Sequence, residues 1–168
     1  MMGIREDMPL LARHEGVWEG VYRYYNDKGE KVDEHKSLLV CRIPEDGPYP
    51  YHQTNHYLWD DGRRDVRDFP ADYRDKRVWW DNDLIKGWAA EEPLDEHRRT
   101  VVLYWQRQGD PELYLYEMIQ IADDGQTRCR TWHWIRSGKL ETRTAIEERL
   151  VTRDWRTYEA EHLKEQAA

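Results

Sequence analysis

Short alternating runs separated by turn signals dominate the chain. The runs are Gly16–Tyr25, Glu30–Ile43, Tyr51–Trp59, Arg63–Phe69, Arg77–Trp80, Leu84–Ala89, Thr100–Arg107, Leu113–Ile121, Thr127–Arg136 and Glu141–Val151. Between them lie Asn26-Asp-Lys-Gly29, Asp60-Asp-Gly62, Asp81-Asn-Asp83, Gln108-Gly-Asp-Pro111, Asp123-Asp-Gly125 and Ser137-Gly138, which is how consecutive antiparallel hairpins read. Eight to ten strands in up-and-down order leave two sheet edges to dispose of, and closure into a barrel removes both. The expected fold is therefore an all-β, up-and-down antiparallel β-barrel spanning about residues 16–151, within one domain of 168 residues. A short helix at Pro9, Leu10, Leu11 and Ala12 is expected before it. A second is expected after it, capped by Asp154 and carrying Trp155, Tyr158 and Leu163, with a fraying polar tail beyond. The loop Pro44–Pro50 is the expected mobile rim.

Large apolar groups here carry a polar end: nine Trp and eleven Tyr stand against one Phe. Such residues suit walls that are half wet. A net charge of −8 argues against nucleic acid as a partner, because phosphate contacts need a basic surface. No segment has the apolar length of a signal peptide or membrane span, so a cytoplasmic protein with no membrane partner is expected. Cys41 and Cys129 are read as free, buried thiols rather than a disulfide.

Hairpin register assigns side chains to faces, since residues opposite one another share an environment. A two-residue turn at Asp124-Gly125 sets Trp132 opposite Glu117 and His133 opposite Tyr116. The Ser137-Gly138 turn, read the same way, sets Trp132 opposite Arg143. The Gly109 turn brings Trp105 to Leu115 and Leu103 to Glu117. One face then collects Val101, Leu103, Trp105, Leu115, Glu117, Ile119, Arg130, Trp132, Trp134, Arg143 and Glu147. The other collects Val102, Tyr104, Tyr114, Tyr116, Met118, Gln120, Cys129, Thr131, His133, Thr142 and Thr144. The first, with its large apolar groups and with carboxylates and guanidinium groups that would be costly to bury unpaired, is taken as the lining of a pocket. His133 then lies outside, on a face uncharged enough that a homodimer partner or the terminal helix is expected to cover it.

Gly16-Val-Trp18 followed by Gly20 resembles the Gly-x-Trp opening of lipocalin-type barrels. The stretch "HEGVWEGVYRYYNDKGEKVD" is similar to an uncharacterised bacterial lipocalin-like family of the calycin superfamily. The resemblance implies a calycin barrel with one internal cavity, and a basic residue near Trp18 for which Arg149 or Arg153 is the candidate. It transfers no reaction, because barrels of this kind serve many functions.

His52 and His56 have the spacing of a helical metal site, but in a strand four residues span about 13 Å, so no metal site is expected. Haem through His56, His133 or His162 is a minor alternative with no motif to single out a ligand. No cofactor is expected. Glu117 is either a tuned carboxyl or a structural ion-pair partner: burial would raise its pKa, and Arg130 or Arg143 would lower it. The leading expectation is a cavity that binds a small aromatic or unsaturated metabolite, stacked on Trp105, Trp132 and Trp134, oriented by Arg130 or Arg143 and adjoining His56. In it Glu117, Arg130 and Tyr22 could perform cofactor-independent isomerase, cyclase or lyase chemistry, with Tyr24 as a further donor. The alternatives are a non-catalytic carrier using the same cavity and a structural dimer with a filled barrel.

Overall fold

The computed structural model describes residues 3–91 and 97–163. Ten antiparallel strands close in the order β1-β10-β9-β8-β7-β6-β5-β4-β3-β2. The strands are β1 (Gly16–Asn26), β2 (Lys31–Arg42), β3 (Tyr51–Leu58), β4 (Arg64–Arg74), β5 (Arg77–Asp81), β6 (Ile85–Ala90), β7 (Thr100–Arg107), β8 (Asp110–Ile121), β9 (Thr127–Arg136) and β10 (Lys139–Thr152). Two short helices, α1 (Ile4–Asp7) and α2 (Pro9–Ala12), precede the barrel, and α3 (Trp155–His162) follows it. Pro9 opens α2, where its missing N–H costs nothing. Asp154 caps α3 by accepting from the Thr157 amide. The tail expected to fray begins at 164 and lies outside the described residues.

The N-terminal helices plug one end. Ile4, Met8, Leu10 and Leu11 join the barrel core with Trp18, Leu39, Val101 and Ile146. Trp18 is fully buried, donates from its indole to the His14 carbonyl at 2.9 Å, and has the guanidinium groups of Arg128 and Arg153 at 4.3 and 5.5 Å from its ring. Arg153, rather than Arg149, thus supplies the cation expected beside this tryptophan, and Arg149 is exposed on the outer face. Arg153 also donates to the carbonyls of Arg13, Glu15 and Gly125, tying the helical plug to the barrel. The loop Pro44–Pro50 belongs to this plugged end: Arg5 donates to the Ile43 carbonyl and Glu15 accepts from the Ile43 amide. It does not rim the open end.

The β8–β9 and β7–β8 pairings match the expected register, with Glu117 opposite Trp132, Tyr116 opposite His133 and Trp105 opposite Leu115. The β9–β10 pairing departs from it. Leu140 faces Ile135 but Thr142 faces Trp134, so Glu141 is an extra residue, a β-bulge. Because side chains alternate with period two, one extra residue reverses every position beyond it. Arg143 and Glu147 therefore point outward and are exposed, while Thr144, Ile146 and Glu148 point inward and are buried. Cys41 is buried and Cys129 exposed; both are free thiols, so the expectation of two buried ones holds only for Cys41.

β4 runs on through Pro70, past its expected end at Phe69. It pairs with β3 from Arg64 to Ala71, but with β5 only from Asp72 to Arg74. Pro70 has no amide proton to give, and the Trp80 indole stitches the gap by donating to the Phe69 carbonyl at 3.3 Å. The upper half of β4 is thus a seam in the wall. On the far side, β6 and β7 approach so closely at Gly87 that a Cβ there would lie 1.9 Å from the Tyr104 carbonyl oxygen. Gly87→Ala is expected to destabilise the barrel by about 3 kcal/mol, read as a lower urea midpoint with an unchanged slope.

Candidate functional site

The interior is divided. Toward β8, β9, β10 and β1 it is packed with paired charges. Arg130 donates from Nε to Glu117 Oε1 at 2.7 Å and from Nη1 to the Tyr22 hydroxyl at 3.2 Å. Arg128 donates from Nε to Glu148 Oε2 at 2.5 Å, and Glu148 Oε1 lies 3.5 Å from Arg130 Nη1. All four ionic side chains are at most 4% exposed. An unpaired charge at this depth would be prohibitive, so the two arginines and two glutamates are placed as one alternating cluster. Burial pushes the Glu117 carboxyl above its ordinary range, against the pull of Arg130, and Oε2 has no hydrogen-bond partner among the described residues.

Toward β3–β7 the barrel is hollow. A cavity of about 380 Å³ runs from Leu11, Tyr51, Ala89 and Ile119 at the plugged end to Asp33, Trp59, Arg67, Leu84, Arg107 and Glu141 at the open end. Its walls include Tyr57, Phe69, Trp80, Trp105, Trp132 and Trp134, with Arg130 where it meets the charge cluster. The volume falls in the ordinary range for small-molecule sites, about 300–1,000 Å³. Trp105 and Trp134 meet edge to face with centroids 6.2 Å apart, and Phe69 lies 5.8 Å from Trp105. The indole N–H groups of Trp105 and Trp132 have no partner among the described residues. A larger concavity of about 960 Å³ opens on the outside, but Glu19, Lys36, Arg99, Glu147 and Arg149 make its wall a mixed-charge surface.

The inner face of β3 carries a directed chain of hydrogen bonds. Tyr51 donates to Gln53 Oε1 at 3.0 Å, Gln53 to Asn55 Oδ1 at 2.7 Å, and Asn55 to the Tyr57 hydroxyl at 2.7 Å. Across from it, His35 stacks on Tyr22 at 4.8 Å and lies 4.6 Å from both Tyr57 and Trp59. Its Nδ1 is 3.2 Å from the Lys36 carbonyl, which can only accept. Nδ1 therefore carries the proton, and Nε2, 3.1 Å from the Tyr24 hydroxyl, accepts from it. Burial lowers the His35 pKa, keeping the ring neutral, and raises the Tyr24 pKa, keeping the phenol protonated.

Of the sequence candidates, Trp105, Trp132, Trp134, Tyr24 and Arg130 line the cavity. Glu117 and Tyr22 are bonded to Arg130 within the charge cluster. Arg143 and His56 are on the outer face, away from the cavity: Arg143 because of the Glu141 bulge, and His56 because inward positions of β3 are Tyr51, Gln53, Asn55 and Tyr57. His133 is outside, as its register requires. His35, Arg107 and the Gln53–Asn55 pair escaped the sequence reading, although each shares parity with an inward neighbour: His35 with Leu39, Arg107 with Trp105. No cluster of three or more His, Cys, Asp or Glu residues suited to a metal occurs among the described residues, and no described helix is long and apolar enough to cross a membrane.

No family model and no curated protein matches the sequence. Solved structures do. An S-type phycobiliprotein lyase from Guillardia theta superposes with a TM-score of 0.64 at 15% identity, covering 90% of this chain and 94% of that one. A Mycobacterium tuberculosis protein gives 0.58 at 13% identity over 87% and 98%. A Nostoc punctiforme protein of unknown function from the DUF3598 family gives 0.59 at 12% identity; 84% of this chain is covered, which spans about half, 49%, of that chain. These likenesses establish a shared β-barrel fold.

Removing one member of the buried pair leaves the other charged and unsolvated. Glu117→Leu is expected to cost about 3–5 kcal/mol in denaturant unfolding, and Glu117→Leu with Arg130→Met to cost far less than the sum of the single changes.

Proposed function

We propose that the protein binds a small aromatic or otherwise unsaturated metabolite in the barrel cavity. The observation that carries this reading is the cavity itself: about 380 Å³, walled by tryptophan, tyrosine and phenylalanine rings, open at one end and plugged at the other. Aromatic walls favour planar partners, because offset and edge-to-face contacts add to the simple burial of surface. The charge cluster supports binding indirectly. With Arg130 engaged by Glu117, Tyr22 and Glu148, it acts as a rigid wall rather than as a free cation for the ligand.

A second reading adds cofactor-independent proton transfer, and the Tyr24–His35 pair favours it. A neutral imidazole accepting from a phenol at the cavity wall can take up the phenol's proton as the phenolic oxygen removes one from a bound substrate. Glu117 does not line the cavity, and its part in this reading is to hold Arg130 in place at the cavity wall. The Guillardia theta barrel bears the name of a lyase. At its low identity it supports the architecture as a host for such chemistry and nothing finer.

Titration with 2-naphthol is expected to quench the tryptophan emission saturably. Trp105→Leu and Trp132→Leu should each weaken binding about tenfold, the equivalent of about 1.4 kcal/mol of lost stacking. Quenching without saturation, or saturation indifferent to both substitutions, would contradict the reading. Turnover of a bound ligand that disappears in His35→Gln while binding persists would select the enzyme over the carrier.

A further inference from the structure

The open end of the cavity is electrostatically unbalanced. Four ionic side chains line it there: Asp33, Arg67, Arg107 and Glu141. Both acids are occupied. Asp33 accepts the Trp59 indole proton on its two oxygens, at 3.1 and 3.2 Å, and Glu141 accepts from Arg136 at 2.9 Å. Arg67 is half engaged, with Nε on Asp65 at 2.8 Å and its guanidinium carbon 5.5 Å from the Tyr57 ring centroid. The Arg107 side chain has neither a hydrogen bond nor an ion pair with any described residue, and its backbone is held between β6 and β8. It follows Trp105 by two positions on the inner face of β7, so it continues the aromatic wall toward solvent.

An acidic protein of net charge −8 offers many carboxylates that could neutralise a guanidinium. On the outside they do: Arg63, Arg99 and Arg136 all bond to nearby aspartates. Against that pattern, the unpaired Arg107 stands where a ligand leaving the aromatic wall would meet it. Arginine presents a planar fork of donors that matches a carboxylate with two parallel hydrogen bonds. Arg67 sits on the half of β4 that pairs with β3 but not with β5, and it lines the same cavity as Arg107 and Leu84. The apolar rings begin directly below both.

We propose that the ligand is an aromatic carboxylate: its planar body lies among Trp80, Trp105, Trp132 and Trp134, and its carboxylate is held at the mouth by Arg107, with Arg67 assisting. This rests on the cavity-binding reading and adds to it the ligand's charge and orientation. Anion recognition passes from Arg130, which is already paired inside, to a residue that is free to receive it.

The test uses two probes of one shape, 4-(1-pyrenyl)butyrate and 4-(1-pyrenyl)butanol, followed by energy transfer from tryptophan to pyrene. Wild-type protein is expected to bind the acid about tenfold more tightly than the alcohol, the yield of one charge-assisted forked contact near the surface. Arg107→Gln should bring that ratio close to one by weakening binding of the acid about tenfold, and saturable binding of the alcohol shows the variant to be folded. Arg67→Gln should lower the ratio by a smaller factor. No preference for the acid in wild type, or a preference that survives Arg107→Gln, overturns the proposal while the cavity reading stands. Binding of neither probe overturns both.

Discussion

The ion pair between Arg130 and Glu117, extended to Tyr22, Glu148 and Arg128, governs the interior of this barrel. Burying four charges is favourable only if each finds its partner, and that requirement fixes β8, β9 and β10 in one register across the closed sheet. Once the cluster is satisfied it fills its side of the barrel as a rigid polar block. The opposite side, lined by rings too bulky and too few to close over one another, stays hollow. The same cluster thus sets both the shape of the cavity and the quietness of its inner wall, and leaves the mouth as the place where charge can be offered to a ligand.

The barrel was legible because turn chemistry repeats: Asp-Gly, Asn-Asp-Lys-Gly and Ser-Gly punctuate alternation closely enough that strand number and order follow. Two-residue arithmetic through Asp124-Gly125 placed Glu117, Arg130 and Trp132 on one face, as observed. It failed across Ser137-Gly138, where Glu141 inserts an unpaired residue into β10. Leu140-Glu141-Thr142 reads as ordinary alternation, and a bulge there is set by barrel curvature, which no local pattern announces. The error inverted Arg143, Thr144 and Glu147 together.

The candidate site was legible in its rings and less so in its polar members. Trp105, Trp132 and Trp134 stood out by size and spacing. His35 sits in a run dense with charge, Asp33-Glu-His-Lys36, where its burial comes from packing against Tyr22 of β1, Tyr57 of β3 and Trp59 just beyond β3. Only tertiary contact distinguishes it from a solvated histidine. Nothing in the sequence marks Arg107 beyond its place at the end of a strand, because its side chain's lack of a partner is a fact of the fold. Cofactor independence and the distinction between carriage and catalysis depend on what enters the cavity, and residue types alone do not specify that.

The central claim is that the half of the barrel bounded by β3–β7 accepts a planar molecule while the charged half stays shut. Anomalous diffraction from crystals soaked in 2-bromonaphthalene measures this directly. A bromine peak inside the barrel, among Trp80, Trp105 and Trp132, is the predicted result. Bromine found only on the outer face, with tryptophan rings collapsed across the interior, would contradict the account.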